Sequence, residues 1–297
     1  MNSRFFEIFR LTTFALGMIF IANFTFTLIY QQFIHSVNLN DRIPEELTES
    51  LNEDAANPDV SFKESFSKVR KAIEGIENEY LAEVKANPEK SFERFYDIML
   101  KDKLYFLFLQ SLFWGLSYVG LAYLILKKIL KYDLCDLSDE LSFQNLSTGI
   151  KNGLLIFFII LLVGVLIKSL GIEANPGLFP AKLFHELQGN ANLLAWSIYT
   201  VGIMTGILEE LFFRGYLLKS FIDKGYGQEG LLIISLLFGF LHFGIGTSVV
   251  VPFLITFVGL FFGFLYLKHK NIWVPIACHA TYNSLGLLIA YFRGESL

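Results

Sequence analysis

Long apolar stretches without Lys, Arg, Asp or Glu alternate with polar segments along this sequence of 297 residues. A helix of about 20 apolar residues is enough to cross the roughly 30 Å hydrocarbon core of a bilayer. Seven stretches approach or reach this length, at residues 11–30, 104–126, 153–167, 193–208, 230–245, 249–267 and 272–292. The pattern predicts an all-α, polytopic membrane helix bundle with about seven transmembrane helices.

The first stretch follows Arg4 and Arg10, as the apolar region of a secretory signal peptide also does. It is long for a signal peptide, and the residues after Tyr30 contain no small-x-small cleavage pattern. We therefore interpret residues 1–30 as an N-terminal transmembrane anchor and residues 104–297 as the main membrane helix bundle.

Residues 31–103 between them form a polar insert with helical signals of its own. Ser61-x-x-Glu64 predicts a capping box, and Asn87-Pro88 predicts the end of one helix and the start of another. Apolar residues at helical spacing follow each signal, at Phe62, Phe66, Val69, Ile73, Ile76 and Tyr80, and at Phe92, Phe95, Tyr96, Met99 and Leu100. We expect an extramembrane helical insert, packed on itself or lying on the membrane. A substrate-docking role is the alternative.

Positive charge is distributed unevenly between the two sides of this topology. With the N-terminus inside, the inner segments hold eleven Lys and Arg residues and the short outer segments hold three. Cytoplasmic loops carry the excess of Lys and Arg in membrane proteins. The distribution therefore predicts a cytoplasmic N-terminus and an extracytoplasmic insert.

The amino-acid composition limits the classes of molecule with which this protein is expected to interact. Hydrophobic residues make up 54% of the chain, the mean hydropathy is +0.50, and residues 41–103 hold 16 acids and 10 bases. The lipid bilayer is thus a partner, whereas no basic block suggests nucleic acid. Cys135 and Cys278 lie far apart and indicate neither a disulfide framework nor a cysteine zinc site. The residues do not indicate an oligomeric state, and Gly259-x-x-x-Gly263 predicts close helix packing.

Candidate chemistry begins at Glu209 and Glu210, which follow directly on an apolar stretch. Charged residues at membrane depth are costly and mark a site by default. In a helix, Glu210 and Arg214 are i and i+4 and can neutralise each other. Glu209 is rotated by about 100° and has no such partner on its own helix. It suits a general base, although both acids could instead only bridge helices.

Two later apolar stretches carry His242, His279 and Asn283. With a rise of 1.5 Å per residue, His242 and Asn283 lie about 18 and 16 Å from the cytoplasmic face, His279 about 10 Å and Glu209 roughly 15 Å. Three helices thus bring polar residues to a similar level. The other histidines, His35, His185 and His269, fall in loops or at membrane edges.

The residues leave two chemistries open. A Glu/His pair can activate water while a second His and an amide stabilise an oxyanion. Alternatively, His242, His279 and Glu209 could hold zinc as a His₂Glu set. No serine nucleophile has a suitable partner in this group.

The segments Glu209-Glu210-Leu-Phe-Phe-Arg214, Phe238-Gly-Phe-Leu-His242 and His279-Ala-Thr-Tyr-Asn283 resemble the three ordered motifs of the CPBP intramembrane protease family. This family, also called Abi, includes type II CAAX prenyl endopeptidases and bacteriocin-immunity proteins. The resemblance covers about residues 190–292, which would form the catalytic core.

The resemblance implies that Glu209 and His242 activate water and that His279 and Asn283 stabilise the oxyanion. Glu210, Arg214 and Phe238 would support the site. The family is conventionally classed as metalloprotease, although a metal-independent mechanism is also proposed for it. We expect no required cofactor, with zinc as the alternative.

The expected function is an intramembrane endopeptidase acting on a membrane-associated peptide or protein, with a prenylated or a bacteriocin-like substrate both open. The alternative is a catalytically silent membrane scaffold or binding protein on the same fold. A proton-coupled transporter is disfavoured, because the polar residues cluster in the C-terminal half rather than in two related halves.

Overall fold

The computed structural model describes residues 3–56, 61–131 and 139–293. Within these ranges the chain folds into helices joined by short turns, so the predicted all-α membrane helix bundle is confirmed. In chain order the helices are α1 (Ser3–Asn40), α2 (Glu45–Ala56), α3 (Phe62–Ala86), α4 (Pro88–Lys101), α5 (Tyr105–Ile129), α6 (Phe143–Ser169), α7 (Leu178–Leu187), α8 (Ala191–Ile222), α9 (Gly227–Phe240), α10 (Val250–His269) and α11 (Trp273–Arg293).

Among the described residues, five helices are long and apolar enough to cross a membrane by length and composition: α1, α5, α6, α8 and α10. Helix α9 is apolar but has 14 residues, and α11 has 21. Each of the seven predicted stretches overlaps one helix, and their number as membrane spans stays a prediction. The shortest stretch, 153–167, belongs to a helix of 27 residues.

The helices differ from the predicted apolar stretches at several of their ends. Helix α1 continues to Asn40, ten residues beyond Tyr30, because residues 31–40 contain no Pro or Gly that would end it. Helix α9 ends at Phe240 instead of Ile245. Gly244 and Gly246 follow, and Gly246 has a φ of +75°, which a helix cannot contain. His242 therefore lies in a turn beyond the helix.

The chain divides into two compact units, Met1–Thr27 with Met99–Leu297, and Leu28–Ile98. In the second unit, buried Asn38 donates through Nδ2 to the Ser91 carbonyl oxygen at 2.9 Å, and the Tyr80 hydroxyl lies 2.8 Å from Ser91 Oγ. These polar contacts join α1, α3 and α4 within the unit.

The boundary between α3 and α4 in this second unit agrees with the sequence-based prediction, but the predicted N-terminal cap of α3 does not. Helix α3 ends at Ala86 and α4 begins at Pro88, as predicted. Ser61 is the N-cap of α3, but its side chain makes no capping hydrogen bond. The predicted capping box is therefore wrong, and the Glu64 amide donates to the Ser61 carbonyl instead.

In the larger unit, α11 packs closely against α6 through glycines. A Cβ added at Gly149 would lie 2.5 Å from Ala277 Cβ, and one at Gly153 would lie 2.6 Å from Thr281 Cβ. Such distances leave no room for a side chain, so the backbones of the two helices are in near contact.

Helix α8 approaches α11 from another side in the same way. A Cβ at Gly202 would lie 2.7 Å from Ser284 Oγ, and one at Gly206 would lie 3.1 Å from the Ala280 nitrogen. Both contacts to α11 thus use a Gly-x-x-x-Gly spacing, 149–153 and 202–206. These two glycine pairs fix the helix that carries His279 and Asn283.

Gly259 and Gly263 provide the close packing of α10 that their spacing predicts. A Cβ at Gly259 would lie 2.9 Å from Phe238 Cδ1, and one at Gly263 would lie 2.5 Å from Leu231 Cδ1. Helix α10 therefore packs directly on α9, and the Gly259 backbone reaches the interior of the bundle.

Candidate active site

A fully buried ion pair lies within the larger unit. Arg214 Nη1 donates to Glu210 Oε1 at 2.9 Å, and the two side chains are 1% and 0% exposed. The i, i+4 pair expected from the sequence is therefore present. It forms although residues Leu211–Leu218 are wound as a wider π-helix.

Arg214 is held by groups from two further helices. Its Nη2 donates to the Gly259 carbonyl oxygen at 2.6 Å. Its guanidinium carbon lies 4.7 Å from the Phe238 ring centre and 5.6 Å from that of Phe262. A buried guanidinium is stabilised by such acceptors and aromatic faces. The absence of a side chain at Gly259 makes the first contact possible.

His279 joins this pair from α11. Its Nδ1 lies 2.8 Å from Glu210 Oε1, and its ring stacks on Phe262 at 4.7 Å between ring centres. A carboxylate oxygen accepts, so Nδ1 carries the proton that it donates to Glu210. This fixes the ring orientation and turns Nε2 away from Glu210.

Glu209 lies on the opposite side of the same imidazole. Its Oε2 is 3.9 Å from His279 Nε2, which is too long for a hydrogen bond. Its side chain is 14% exposed, whereas that of Glu210 is 0% exposed. The two adjacent glutamates thus flank His279, with Glu210 locked in contacts and Glu209 accessible.

His242 is placed by the end of α9. Its Nδ1 lies 2.8 Å from the Phe238 carbonyl oxygen, one of the carbonyls that the end of the helix leaves without a backbone partner. Since a carbonyl only accepts, Nδ1 donates, and Nε2 of the neutral ring is an acceptor.

Phe238 lies beside both histidines. Its ring centre is 4.8 Å from that of His242 and 6.2 Å from that of His279. Within the described part of the chain, His242 makes no hydrogen bond or ion pair with Glu209 or His279. The structure therefore brings Glu209, Glu210 and His279 into one group and leaves His242 next to it, across Phe238.

Asn283 lies one turn beyond His279 on α11. Its Nδ2 donates to the Val201 carbonyl oxygen of α8 at 3.0 Å. Residues Ile198–Met204 are π-helical, and the hydrogen bond ties this wider turn to α11. A carboxamide has two N–H groups, so one of them is left for another acceptor.

The donor set considered for zinc does not fit as the structure places it. No group of three His, Cys, Asp or Glu side chains within the described ranges is arranged to hold a metal ion. His242, His279 and Glu209 are accordingly not assembled as a ligand set.

Two contributors carry no distinctive sequence signal. Phe262, which stacks on His279, is one apolar residue within an apolar helix. The Gly259 carbonyl is a backbone group, and the Gly-x-x-x-Gly spacing indicates only close packing. Their roles depend on how α10 sits against α8 and α11.

Comparison with known proteins shows what the segment that carries this site is similar to. Residues 191–285 match the family model for type II CAAX prenyl endopeptidases, Rce1-like. Over 92 residues the chain is 33% identical to the protein described as "Putative membrane peptidase YdiL" of Bacillus subtilis (strain 168). The resemblance to the CPBP family is confirmed.

The matched segment contains Glu209, His242, His279 and Asn283. The curated match covers 31% of this chain, which spans about a third of the length of that relative. No solved structure matches the chain. Together with the five long apolar helices within the described ranges, the family match identifies an integral membrane protein.

Proposed function

We propose that this protein is an intramembrane endopeptidase that hydrolyses a peptide bond of a membrane-associated substrate with water activated by Glu209. The observation that carries the proposal is the position of His279 between two carboxylates that differ in accessibility. Glu210 is buried and bonded to Arg214 and His279, whereas Glu209 is partly exposed and makes no hydrogen bond within the described ranges.

The proposed reaction balances without a covalent intermediate. Glu209 accepts a proton from water, and the resulting hydroxide attacks the carbonyl carbon of the scissile amide. The C–N bond then breaks, and the proton held by Glu209 passes to the leaving amine. His242, whose Nε2 is an acceptor in the neutral ring, assists in orienting the water.

The oxyanion needs hydrogen-bond donors that are already in place. His279 Nε2, when protonated, is one, because Glu210 fixes the ring through Nδ1. The second N–H of the Asn283 amide is the other. Phe262 and Phe238 hold the ring of His279 from two sides, which limits its rotation.

The substrate class follows from where the site lies. Glu209 belongs to a helix long enough to cross a membrane, so the peptide must reach the site from within or beside the bilayer. The family name favours a prenylated peptide, and a bacteriocin-like peptide is the second candidate. The alternative function, a catalytically silent scaffold on the same fold, would require neither of these substrates.

A comparison of membrane proteomes tests the proposal. Cells carrying the wild-type chain and Glu209→Gln are compared by labelling and quantifying new protein N-termini. Glu173→Gln is the control, because Glu173 is exposed and lies in the turn before α7. We expect cleavage products in the wild type and the control, and a loss of at least about a hundredfold in Glu209→Gln.

Two outcomes would contradict this. Normal cleavage by Glu209→Gln removes it as the base, and no cleavage products in any strain favour the scaffold. The metal-independent mechanism is tested on the purified protein with a substrate found in this way. Cleavage should survive exhaustive chelation, whereas stoichiometric zinc whose removal abolishes activity and whose return restores it would overturn that part.

A further inference from the structure

The turn that carries His242 is paired with a segment outside the family match. Residues 175–178, which lead into α7, lie beside residues 245–248, which precede α10. The Leu178 amide donates to the Ile245 carbonyl oxygen at 2.9 Å, and the Ser248 amide donates to that of Asn175 at 3.0 Å. Pro176 and Thr247 form an antiparallel β-bridge between these contacts. We call these paired segments the clasp.

Side chains strengthen the clasp at both ends. The backbone amide of Asn175 donates to Ser248 Oγ at 3.0 Å, and the side-chain Oδ1 of Asn175 accepts from the backbone amide of Gly177 at 3.0 Å. On the His242 side, Thr247 Oγ1 accepts from the Gly244 amide at 3.1 Å. The contacts therefore run from residue 175 to a position two residues after His242.

Gly177 is the tightest point of the clasp. Its φ is +100°, a conformation that residues with a Cβ rarely adopt. A Cβ there would lie 2.6 Å from Thr247 Oγ1 and 3.3 Å from the Ile245 carbonyl oxygen. Both the conformation and the available space require glycine at this position.

The clasp matters because His242 stands beyond the end of α9. Among the described residues, its side chain is anchored by a single hydrogen bond, to Phe238. Helical hydrogen bonds do not fix the backbone from residue 243 to the start of α10, so another contact must do so. We propose that the clasp is a positioning element that holds the His242 imidazole at the site. The catalytic part of this inference rests on the function proposed above.

Matched glycine substitutions test the clasp. Gly177→Ala places a methyl group against Thr247, whereas Gly171→Ala, at a φ of +72°, has no atom within 4 Å. Both changes strain a positive φ, but only the first displaces the turn. A displacement of about 1 Å lowers catalysis by about a hundredfold. We expect that loss in Gly177→Ala and wild-type cleavage in Gly171→Ala.

A second readout does not depend on activity. Diethylpyrocarbonate labels accessible histidines, and mass spectrometry resolves His242 from His35 peptide by peptide. Gly177→Ala should change the labelling rate of His242 relative to His35, while Gly171→Ala should not. The pH dependence of cleavage should also shift in Gly177→Ala, which a purely structural loss of folded protein would not cause.

A second substitution that relieves the clash distinguishes displacement of the His242 turn from unfolding of the protein. Thr247→Ala removes the Oγ1 that the new methyl group would meet, and leaves its Cβ 3.7 Å away. Gly177→Ala with Thr247→Ala should therefore cleave better than the product of the two single effects implies. If Gly177→Ala does not fold, Ser248→Ala, which removes only one acceptor, takes its place and should change the same two readouts.

The results distinguish the two proposals. Unchanged His242 labelling and cleavage in a folded Gly177→Ala would overturn the clasp as a positioning element. Absence of cleavage by the wild-type protein would overturn the enzymatic function, and the labelling comparison would still decide whether the clasp positions His242.

Discussion

Glu210 is a carboxylate with no exposed surface in an apolar bundle, and its neighbours explain how it is tolerated. Its Oε1 accepts from both Arg214 and His279. Its Oε2 is buried without a hydrogen-bond partner within the described residues. The negative charge of Glu210 is therefore neutralised by Arg214, while one of the two carboxylate oxygens, Oε2, accepts no hydrogen bond within the described residues.

Removing one charge of this pair should destabilise the protein more than removing both. Glu210→Gln leaves the Arg214 charge buried, and Arg214→Met leaves that of Glu210, each at roughly 3 to 5 kcal/mol. In the double variant no orphan charge remains, and the carboxamide oxygen introduced by Glu210→Gln can still accept from His279. We expect thermal unfolding in detergent to show a lowered unfolding temperature in each single variant and an appreciable recovery in the double variant.

Glu209→Gln is the matched comparison for this prediction. It removes a partly exposed carboxylate that makes no hydrogen bond within the described ranges, so stability should be normal or raised. If Glu210→Gln unfolds like the wild type, the buried pair does not stabilise the fold. If it is also inactive while Glu209→Gln cleaves normally, the two glutamates have exchanged roles.

Local spacing was sufficient to predict the Glu210–Arg214 pair, because both residues lie on one helix four positions apart. The contact between Glu210 and His279 joins residues 69 positions apart and depends on how α11 packs on α8. The hydrogen bond from Asn283 to Val201 has the same origin. Motifs indicated which residues belong to the site, but tertiary packing decides which nitrogen faces which oxygen.

At the scale of elements, the packing of α11 against its neighbouring helices controls the position of His279. Two glycine pairs, 149–153 and 202–206, bring α6 and α8 into backbone contact with it. Without a hydrophobic driving force between helices in lipid, such close contact is a main source of packing energy. A change at one of these glycines should therefore move the site as well as lower stability.

Gly153→Ala tests this with a control on the same helix. Its Cβ would lie 2.6 Å from Thr281 Cβ and 2.7 Å from the Cys278 carbonyl oxygen, whereas nothing lies within 4 Å of a Cβ at Gly164. We expect Gly153→Ala to lose about 1 to 3 kcal/mol through overpacking, as measured by thermal unfolding in detergent.

Gly164→Ala should leave stability unchanged or raise it, since alanine favours the helix by roughly 0.5 to 1 kcal/mol. Equal unfolding temperatures for Gly153→Ala and Gly164→Ala would show that α6 and α11 are not in near contact.

Hydropathy located the helices well and their ends less well. Long apolar runs were sufficient to predict that α5, α6, α8 and α10 exist, because the hydropathy of about 20 residues is little affected by any single residue. The end of α9 depends on glycines and on the His242 side chain bonding to Phe238, which hydropathy does not register. Ser61 has the residue type of a cap but not its hydrogen bond.

At the scale of the whole molecule, the order of the apolar helices along the chain predicts the side of the membrane on which each polar segment lies. Three helices long enough to cross a membrane, α5, α6 and α8, lie between Glu74 in α3 and Lys224 in the turn after α8. If all three cross, as we predict, the odd number of crossings puts the two residues on opposite sides of the membrane. The excess of Lys and Arg on the Lys224 side predicts that this side is cytoplasmic.

Cysteine accessibility tests this arrangement. Glu74 and Lys224 are both exposed, so Glu74→Cys and Lys224→Cys should each label readily once a reagent reaches them. Both variants are made in a chain that carries Cys135→Ser, so that Cys135 does not react with the reagent. The other native cysteine, Cys278, is buried. In intact cells, a membrane-impermeant maleimide should label position 74 directly and position 224 only after permeabilisation, because the bilayer excludes the charged reagent. Labelling of both positions in intact cells would mean that one of the three helices does not cross, and labelling of position 224 alone would invert the predicted orientation.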